Sequence, residues 1–250
     1  MKLKGLLKNE NETLDTFYRG KILVLQKKKG YRFSVDAPLL ADFVRTDASE
    51  ELIELGAGNG IVSLLVSIKP FKHITAVEIQ HSLADLARRN VKLNSLEEKI
   101  AVVEDDFRSF EPGKKFDVVF SNPPYIKKKT GQLSPSFEIS LAKHELKCTL
   151  SDLLGKTAQL LKREGRAYFI YPFKRRDDFM EEMKKAGLRL RRIREVFSRK
   201  NEPPRWFLAE GGFFGPKTEL LPPFFLYNEN GVYSEEAQKI FSGRGFDGQE

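Results

Sequence analysis

From residue 50 onward the chain alternates between short apolar runs of strand length and stretches whose apolar positions recur every three to four residues. Glu51–Leu55 reads as a short buried strand and Ile61–Ile68 as an apolar helix. His73–Ile79 is a second strand, followed by an amphipathic helix over Ser82–Leu93, and Lys99–Asp105 and Phe116–Asn122 are the third and fourth strands. A helix over Leu153–Leu161 opens at a Ser151/Asp152 cap, Arg166–Tyr171 is a fifth strand, and Asp177–Ala186 is a helix closed by Gly187. Leu188–Phe197 and Arg205–Glu210 form a last pair of strands. Upstream, residues 1–13 read as a polar, frayed start, and Ile22–Gln26 and Tyr31–Phe33 flank the basic turn Lys27–Gly30 as a hairpin. Asp36 then caps a helix over Pro38–Val44.

Strand–helix alternation implies a parallel sheet covered on both faces. The last two strands have no helix between them and so form an antiparallel hairpin at one edge. The expectation is an α/β fold of the Rossmann-like class I methyltransferase type, a mostly parallel seven-stranded sheet with an antiparallel edge hairpin. An NAD-binding sheet would stay parallel to its end. Residues 1–45 are expected to be a small hairpin and helix extension packed on a single catalytic unit, residues 46–250.

Composition narrows the setting. The longest apolar-rich stretch, Ile61–Ile68, stops at Lys69, far short of the roughly 20 residues of a membrane span, and the first fifteen residues lack the apolar core of a secretory signal. The single cysteine, Cys148, excludes an internal disulfide and a cysteine-built zinc site, and His73, His81 and His144 are not at ligand spacing. A cytoplasmic protein working without metal or membrane is expected. Lysine and arginine number 43 against 35 acids, a net charge of +8 that suits a polyanionic partner.

Candidate chemistry begins at Glu54-Leu-Gly56-Ala-Gly58-Asn-Gly60. A dinucleotide fingerprint places its third glycine one residue later, where Ile61 stands, so the spacing favours the glycine turn of S-adenosylmethionine enzymes. Glu78 closes the second strand, where a carboxylate can accept both ribose hydroxyls. Asp106, after the third strand, can accept from the cofactor's adenine amine while Phe107 packs on the ring. Glu54 and Ile79 complete this expected set. The bland alternative is a tight turn with two surface acids, which leaves unexplained why both acids fall at carboxyl ends of strands.

Asn122-Pro123-Pro124-Tyr125 follows the fourth strand and is the more specific motif. An exocyclic adenine amine is a poor nucleophile because its lone pair is delocalised into the ring. The Asn122 side-chain oxygen and the Pro123 carbonyl can accept its two N–H bonds, the prolines stiffen the loop, and Tyr125 offers a face for an extruded base. No strongly basic residue is needed.

Here the chain resembles a known family. Glu12–Asp15, Gly20-Lys21, Gln26, Gly30–Asp36, Ala142-Lys-His144-Glu145, Leu221-Pro-Pro223, Tyr227 and Gly231–Tyr233 are similar to segments of bacterial tRNA1(Val) adenine-N6 methyltransferases. The resemblance implies methylation of adenosine 37, beside the anticodon, with S-adenosylmethionine as cofactor and tRNA as partner. It also implies that Arg32, Phe33 and Asp36 close over the cofactor; His144 and Glu145 match without a chemical role, a structural hydrogen bond being the simpler reading.

Basic clusters stand at Lys27–Lys29, Lys127–Lys129, Lys174–Arg176 and Arg189–Lys200. Lys127, Lys128 and Lys129 follow the motif closely and are expected to contact phosphate, with Arg192, Arg194 and Arg199 facing solvent on the last strand pair while Leu190 and Ile193 pack inward. For Lys174–Arg176, followed directly by Asp177 and Asp178, a solvated face is the better reading. The competing readings are a glutamine methyltransferase acting on release factors, an adenine-N6 or guanine-N2 methyltransferase acting on rRNA or DNA, and a non-catalytic RNA-binding module on the same fold.

Overall fold

The strand-length apolar runs assemble side by side in a computed structural model that describes residues 8–29, 34–123, 148–215 and 217–243. In chain order the elements are β1 (Glu12–Phe17), β2 (Ile22–Lys27), α1 (Asp36–Phe43), β3 (Glu51–Leu55), α2 (Ile61–Val66), β4 (His73–Glu78), α3 (His81–Leu93), β5 (Ile100–Glu104) and β6 (Phe116–Ser121). After these come α4 (Leu150–Leu160), β7 (Leu161–Pro172), α5 (Arg176–Lys185), β8 (Arg189–Phe197), β9 (Pro204–Gly212), the two-residue strands β10 (Glu219–Leu220) and β11 (Phe224–Phe225), and α6 (Glu235–Ser242).

The main sheet runs β10-β8-β9-β7-β6-β3-β4-β5, with β11 also on β8. Strands β5, β4, β3, β6 and β7 are parallel, and β9 inserts antiparallel between β7 and β8. The expected hairpin is therefore present, yet β8 is not the bare edge: β10 and β11 pair with its outer side, covering groups that would invite intermolecular pairing.

Alternation along the central strands loads both faces with apolar side chains. Leu52, Ile74, Val118 and Phe120 pack with α1, α2 and α6 on one face, and Ile53, Val77, Val119 and Phe169 pack with α4 and α5 on the other. That is why these strands read as nearly continuous hydrophobic runs.

Four local expectations are corrected. First, the expected frayed start ends in a strand: β1 pairs with β2 from Glu12↔Lys27 through Phe17↔Ile22, turning through a 3-10 turn at Tyr18–Gly20 where Arg19 is left-handed at φ 57°. Glu12 and Thr13 thus belong to a strand, and Tyr31–Phe33 lie outside the described residues. Second, α1 opens at Asp36, with Val35 in the cap position; the Asp36 carboxylate accepts from the Ala37 amide at 3.1 Å and from the Ser34 hydroxyl. Third, α4 is capped by Thr149 in a reciprocal box, Thr149 accepting from the Asp152 amide at 3.1 Å and Asp152 from the Thr149 amide at 2.8 Å.

Fourth, Arg192 does not face solvent. The β8–β9 register slips between Leu190↔Gly211 and Arg192↔Glu210, leaving Arg191 as an extra residue and turning Arg192 to the buried face. There its Nε donates to Glu210 at 2.6 Å and its guanidinium lies 4.9 Å from the Phe43 ring centroid.

The terminal hairpin is held by helix α3. Arg89 donates to both Glu12 oxygens at 2.7 Å. Asn90 and Asn94, one turn apart, each pair with a β2 residue as a neighbouring strand would. Asn94 accepts from the Leu23 amide at 2.9 Å and donates to its carbonyl at 2.7 Å; Asn90 does the same for Leu25 at 2.6 and 3.1 Å. Asn90 also donates to the Asn59 carbonyl at 2.9 Å, tying the hairpin to the glycine turn.

Candidate active site

Connection order places the site. From β3 the chain proceeds outward to β4 and β5, then returns to lay β6 against the other side of β3. The loops leaving β3 and β6 therefore diverge, and open α/β sheets bind ligands in the crevice beyond the carboxyl ends at such a switch point. The glycine turn leaves β3 and Asn122 leaves β6. Their strands are tied at that level, since the buried Ser121 hydroxyl donates to the Leu55 carbonyl at 2.6 Å.

Gly56, Gly58 and Gly60 all adopt left-handed torsions, at φ 74°, 57° and 79°. The Gly56 and Ala57 amides both donate to the Val77 carbonyl at 2.9 Å, folding the turn back over β4. A Cβ at Gly56 would meet nothing within 4 Å, so the torsion and not crowding demands glycine there, and the space beside it stays open. At Gly60 a Cβ would stand 3.3 Å from the Ala87 Cβ, so glycine also lets α3 approach.

Glu54 stands on β3, two residues before the glycine turn begins at Gly56. It is 1% exposed and accepts from both the amide (3.1 Å) and the hydroxyl of Ser63, so it lies beneath the turn and secures the first turn of α2. Burial pushes its carboxyl up to about 8 from an ordinary 4.5. Between those values the folded state holds a proton that the unfolded state has released. This contribution to stability is therefore fully present below 4.5, declines as pH rises, and is lost above about 8. Glu54→Gln is expected to remove that decline. The check is the difference in unfolding free energy between wild type and variant across this range; a difference independent of pH would show that the carboxyl titrates normally.

Glu78 ends β4 buried and braced, accepting from the Gly58 amide at 2.7 Å and the Gln80 amide at 2.8 Å. Burial raises its pKa, against the pull of these backbone donors. Beside it Ile79 is 38% exposed, an apolar side chain left on the surface at a strand end. Past β5, Asp106 receives Arg108 Nε at 2.9 Å on both oxygens, and this pairing holds its carboxyl below the usual range. Phe107 is partly buried, packed against the core on the α4 side.

Asn122 and Pro123 follow Ser121 half-buried. Arg32, Phe33, Pro124, Tyr125, Lys127, Lys128, Lys129, His144 and Glu145 lie outside the described residues. Of the three arginines expected at the substrate face, Arg192 is buried and Arg194 is engaged with the Pro222 carbonyl and Glu236, each at 2.9 Å. Arg199 stays 59% exposed, 3.7 Å from Glu202.

Sequence reading passed over Asn90. Its signal was a polar residue on the apolar stripe of α3, in register with Leu83, Leu86 and Ala87. It is fully buried and joins the glycine turn to β2.

Comparison with known proteins agrees with this arrangement. The family model described as the methyltransferase small domain matches residues 32–171. A curated tRNA1(Val) (adenine(37)-N6)-methyltransferase of a Flavobacteriaceae bacterium is 29% identical over 222 residues, covering 88% of this chain and 93% of that protein. A protein of the same name from Bacteroides thetaiotaomicron is 32% identical over 152 residues, 60% of this chain and 63% of that one. Among solved structures, a predicted O-methyltransferase from Agrobacterium tumefaciens shares the fold at a TM-score of 0.65 and 20% identity, over 84% of this chain and 96% of the other.

Proposed function

Because this chain belongs to the methyltransferase small domain family, we propose that it transfers a methyl group from S-adenosylmethionine to N6 of an adenine in tRNA, at position 37 as in the relatives named for that reaction. The observation that carries the reading is the Ser121–Leu55 hydrogen bond, which sets the Asn122-Pro123 loop beside the glycine turn.

The residues fit the cofactor. The turn leaves open space at Gly56, Glu78 is a carboxylate fixed at the end of the neighbouring strand, and Ile79 keeps an apolar surface beside it. Glu78 would hold the ribose hydroxyls, Ile79 and Phe107 would flank the adenine ring, Asp106 would accept from its amine, and the turn backbone would face the methionine portion. When bound, S-adenosylmethionine supplies an electrophilic methyl group.

The chain's own residues prepare the nucleophile. Asn122 Oδ1 accepts one N–H of the target amine and the Pro123 carbonyl accepts the other. Both acceptors draw the nitrogen towards tetrahedral geometry, so its lone pair leaves the ring's conjugation. As the new N–C bond forms, the methyl's bond to the cofactor sulfur would break, with its electron pair leaving on S-adenosylhomocysteine, and one of the two amine protons becomes surplus and departs to solvent. Catalysis by alignment and placed acceptors needs no histidine or cysteine.

A glutamine side chain offers a similar amide, so the substrate must be tested directly. Incubation with methyl-labelled cofactor and, separately, unmodified tRNA, DNA and a release factor is expected to place the label in tRNA as N6-methyladenosine. Label in glutamine or in DNA, with none in tRNA, would overturn the proposal.

A further inference from the structure

The strands on one side of Asn122 are taller than β6. Ser121 lies level with Phe169 of β7, and β7 continues to Pro172 in register with Trp206 of β9, which is opposite Val196 of β8. Three further residues make a wall rising about 10 Å above Ser121, at roughly 3.3 Å per residue. β8 runs in the direction of β7, and β11 in that of β8, so the loops following β7, β8 and β11 and the start of β9 form the rim of this wall. The rim lies at the same edge of the sheet as the glycine turn, and β8 stands three strand spacings from β6, about 14 Å away.

The rim carries cations and an exposed ring. Lys174 follows β7, Arg205 is the second residue of β9 with its guanidinium 4.6 Å from the Trp206 ring centroid, and Arg199 and Lys200 follow β8; all four are exposed. After β11 the chain turns through Gly231, and Arg199 reaches across so closely that a Cβ there would stand 3.8 Å from its guanidinium. Tyr233 is 38% exposed and is held rigidly, stacked on Tyr227 at 5.2 Å and 11° and meeting Phe241 edge-on at 4.9 Å. The acids of these loops, Glu202 and Glu229, are exposed and fewer than the cations.

We propose that this rim is a track for single-stranded RNA, on which Tyr233 stacks one base flanking the target adenosine while Lys174, Arg199, Lys200 and Arg205 contact phosphates. The inference rests on the tRNA reading above and adds where the strand runs. An extruded base must descend to Asn122 while its backbone stays at the level of the wall's top. Cations along a groove with an aromatic platform are the combination that holds unpaired nucleotides without reading their sequence. An acidic protein partner would use the charges but not the ring.

The test measures binding of a fluorescein-labelled, unmodified tRNA1(Val) transcript to the full chain by anisotropy across a salt series. Arg199→Gln/Lys200→Gln is expected to weaken binding and to make the slope of log K against log salt shallower by about 1.4–1.8, two contacts at 0.7–0.9 each. Tyr233→Ala should weaken binding about fivefold to 160-fold, and Tyr233→Phe should hardly change it. Lys184→Gln/Arg189→Gln, at the opposite edge of the sheet, is the charge-matched control. Cofactor affinity and thermal melting report whether each variant is folded; if Tyr233→Ala is not, the exposed Arg199/Lys200 pair carries the test alone. Wild-type slope and affinity in the Arg199/Lys200 variant, with tRNA methylation intact, would overturn the track and leave the proposed reaction standing. A wild type that neither binds nor methylates tRNA would overturn both.

Discussion

Replacing Asn122 by alanine is expected to lower kcat by about 10²-fold or more while leaving S-adenosylmethionine affinity nearly unchanged, because the lost oxygen serves the target amine. The hydrogen bond between Ser121 and Leu55 lies one residue upstream and should keep the loop's starting point in place. Asn122→Asp is the sharper companion. It retains an acceptor of the same size but adds a charge, so it should recover part of the rate if acceptance at Oδ1 is the function. Single-turnover rates with saturating cofactor, alongside calorimetric cofactor affinity, separate the two effects. Turnover close to wild type in the alanine variant would remove Asn122 from the chemistry.

Glu78→Ala is expected to weaken cofactor binding by about 1.5–3 kcal/mol, the range for hydrogen bonds to a charged group. The carboxylate also accepts from the Gly58 and Gln80 amides, so its loss leaves two backbone donors to find water and loosens the turn. Glu78→Gln distinguishes these roles. The amide can still accept from one backbone donor, but it lacks the charge that favours paired ribose hydroxyls, so its affinity should stay well below wild type while its melting temperature recovers. Unaltered calorimetric affinity in both variants would exclude Glu78 from the cofactor site.

The central strands were readable because both faces of β3, β4 and β6 are buried, which turns each into a run of apolar residues that nothing else in the chain resembles. The glycine turn was readable because its spacing is a backbone requirement, met here by three left-handed torsions. β1 was not, because polar residues interrupt both of its faces: Glu12 is buried against Arg89, and on the opposite face Asp15 accepts from Gln26, so an ion pair and a hydrogen bond break the apolar alternation on which strand recognition relies. Arg192 was misplaced for a different reason. A single bulged residue inverts the faces of the rest of β8, and no local signal in RLRRIR announces it. Glu54 was not legible in another way: an acid near a strand end can serve a turn or a neighbouring helix, and its hydrogen bonds to Ser63 appear only in the fold.

The side-chain pairing of Asn90 and Asn94 with β2 also orders events in time. An isolated two-stranded hairpin is marginal in water, and the groups on β2 that these asparagines satisfy lie 65 and 71 residues earlier in the chain. On a ribosome, β1 and β2 emerge long before α3 exists to receive them. The hairpin therefore joins the native structure late, as a long-range contact whose closure must await the β3-to-α3 unit. Since the Asn90 amide that completes it also holds the Asn59 carbonyl, docking of the hairpin and setting of the glycine turn are coupled through one side chain. A variant unable to dock the hairpin on α3 would therefore also lose a hydrogen bond that steadies the glycine turn.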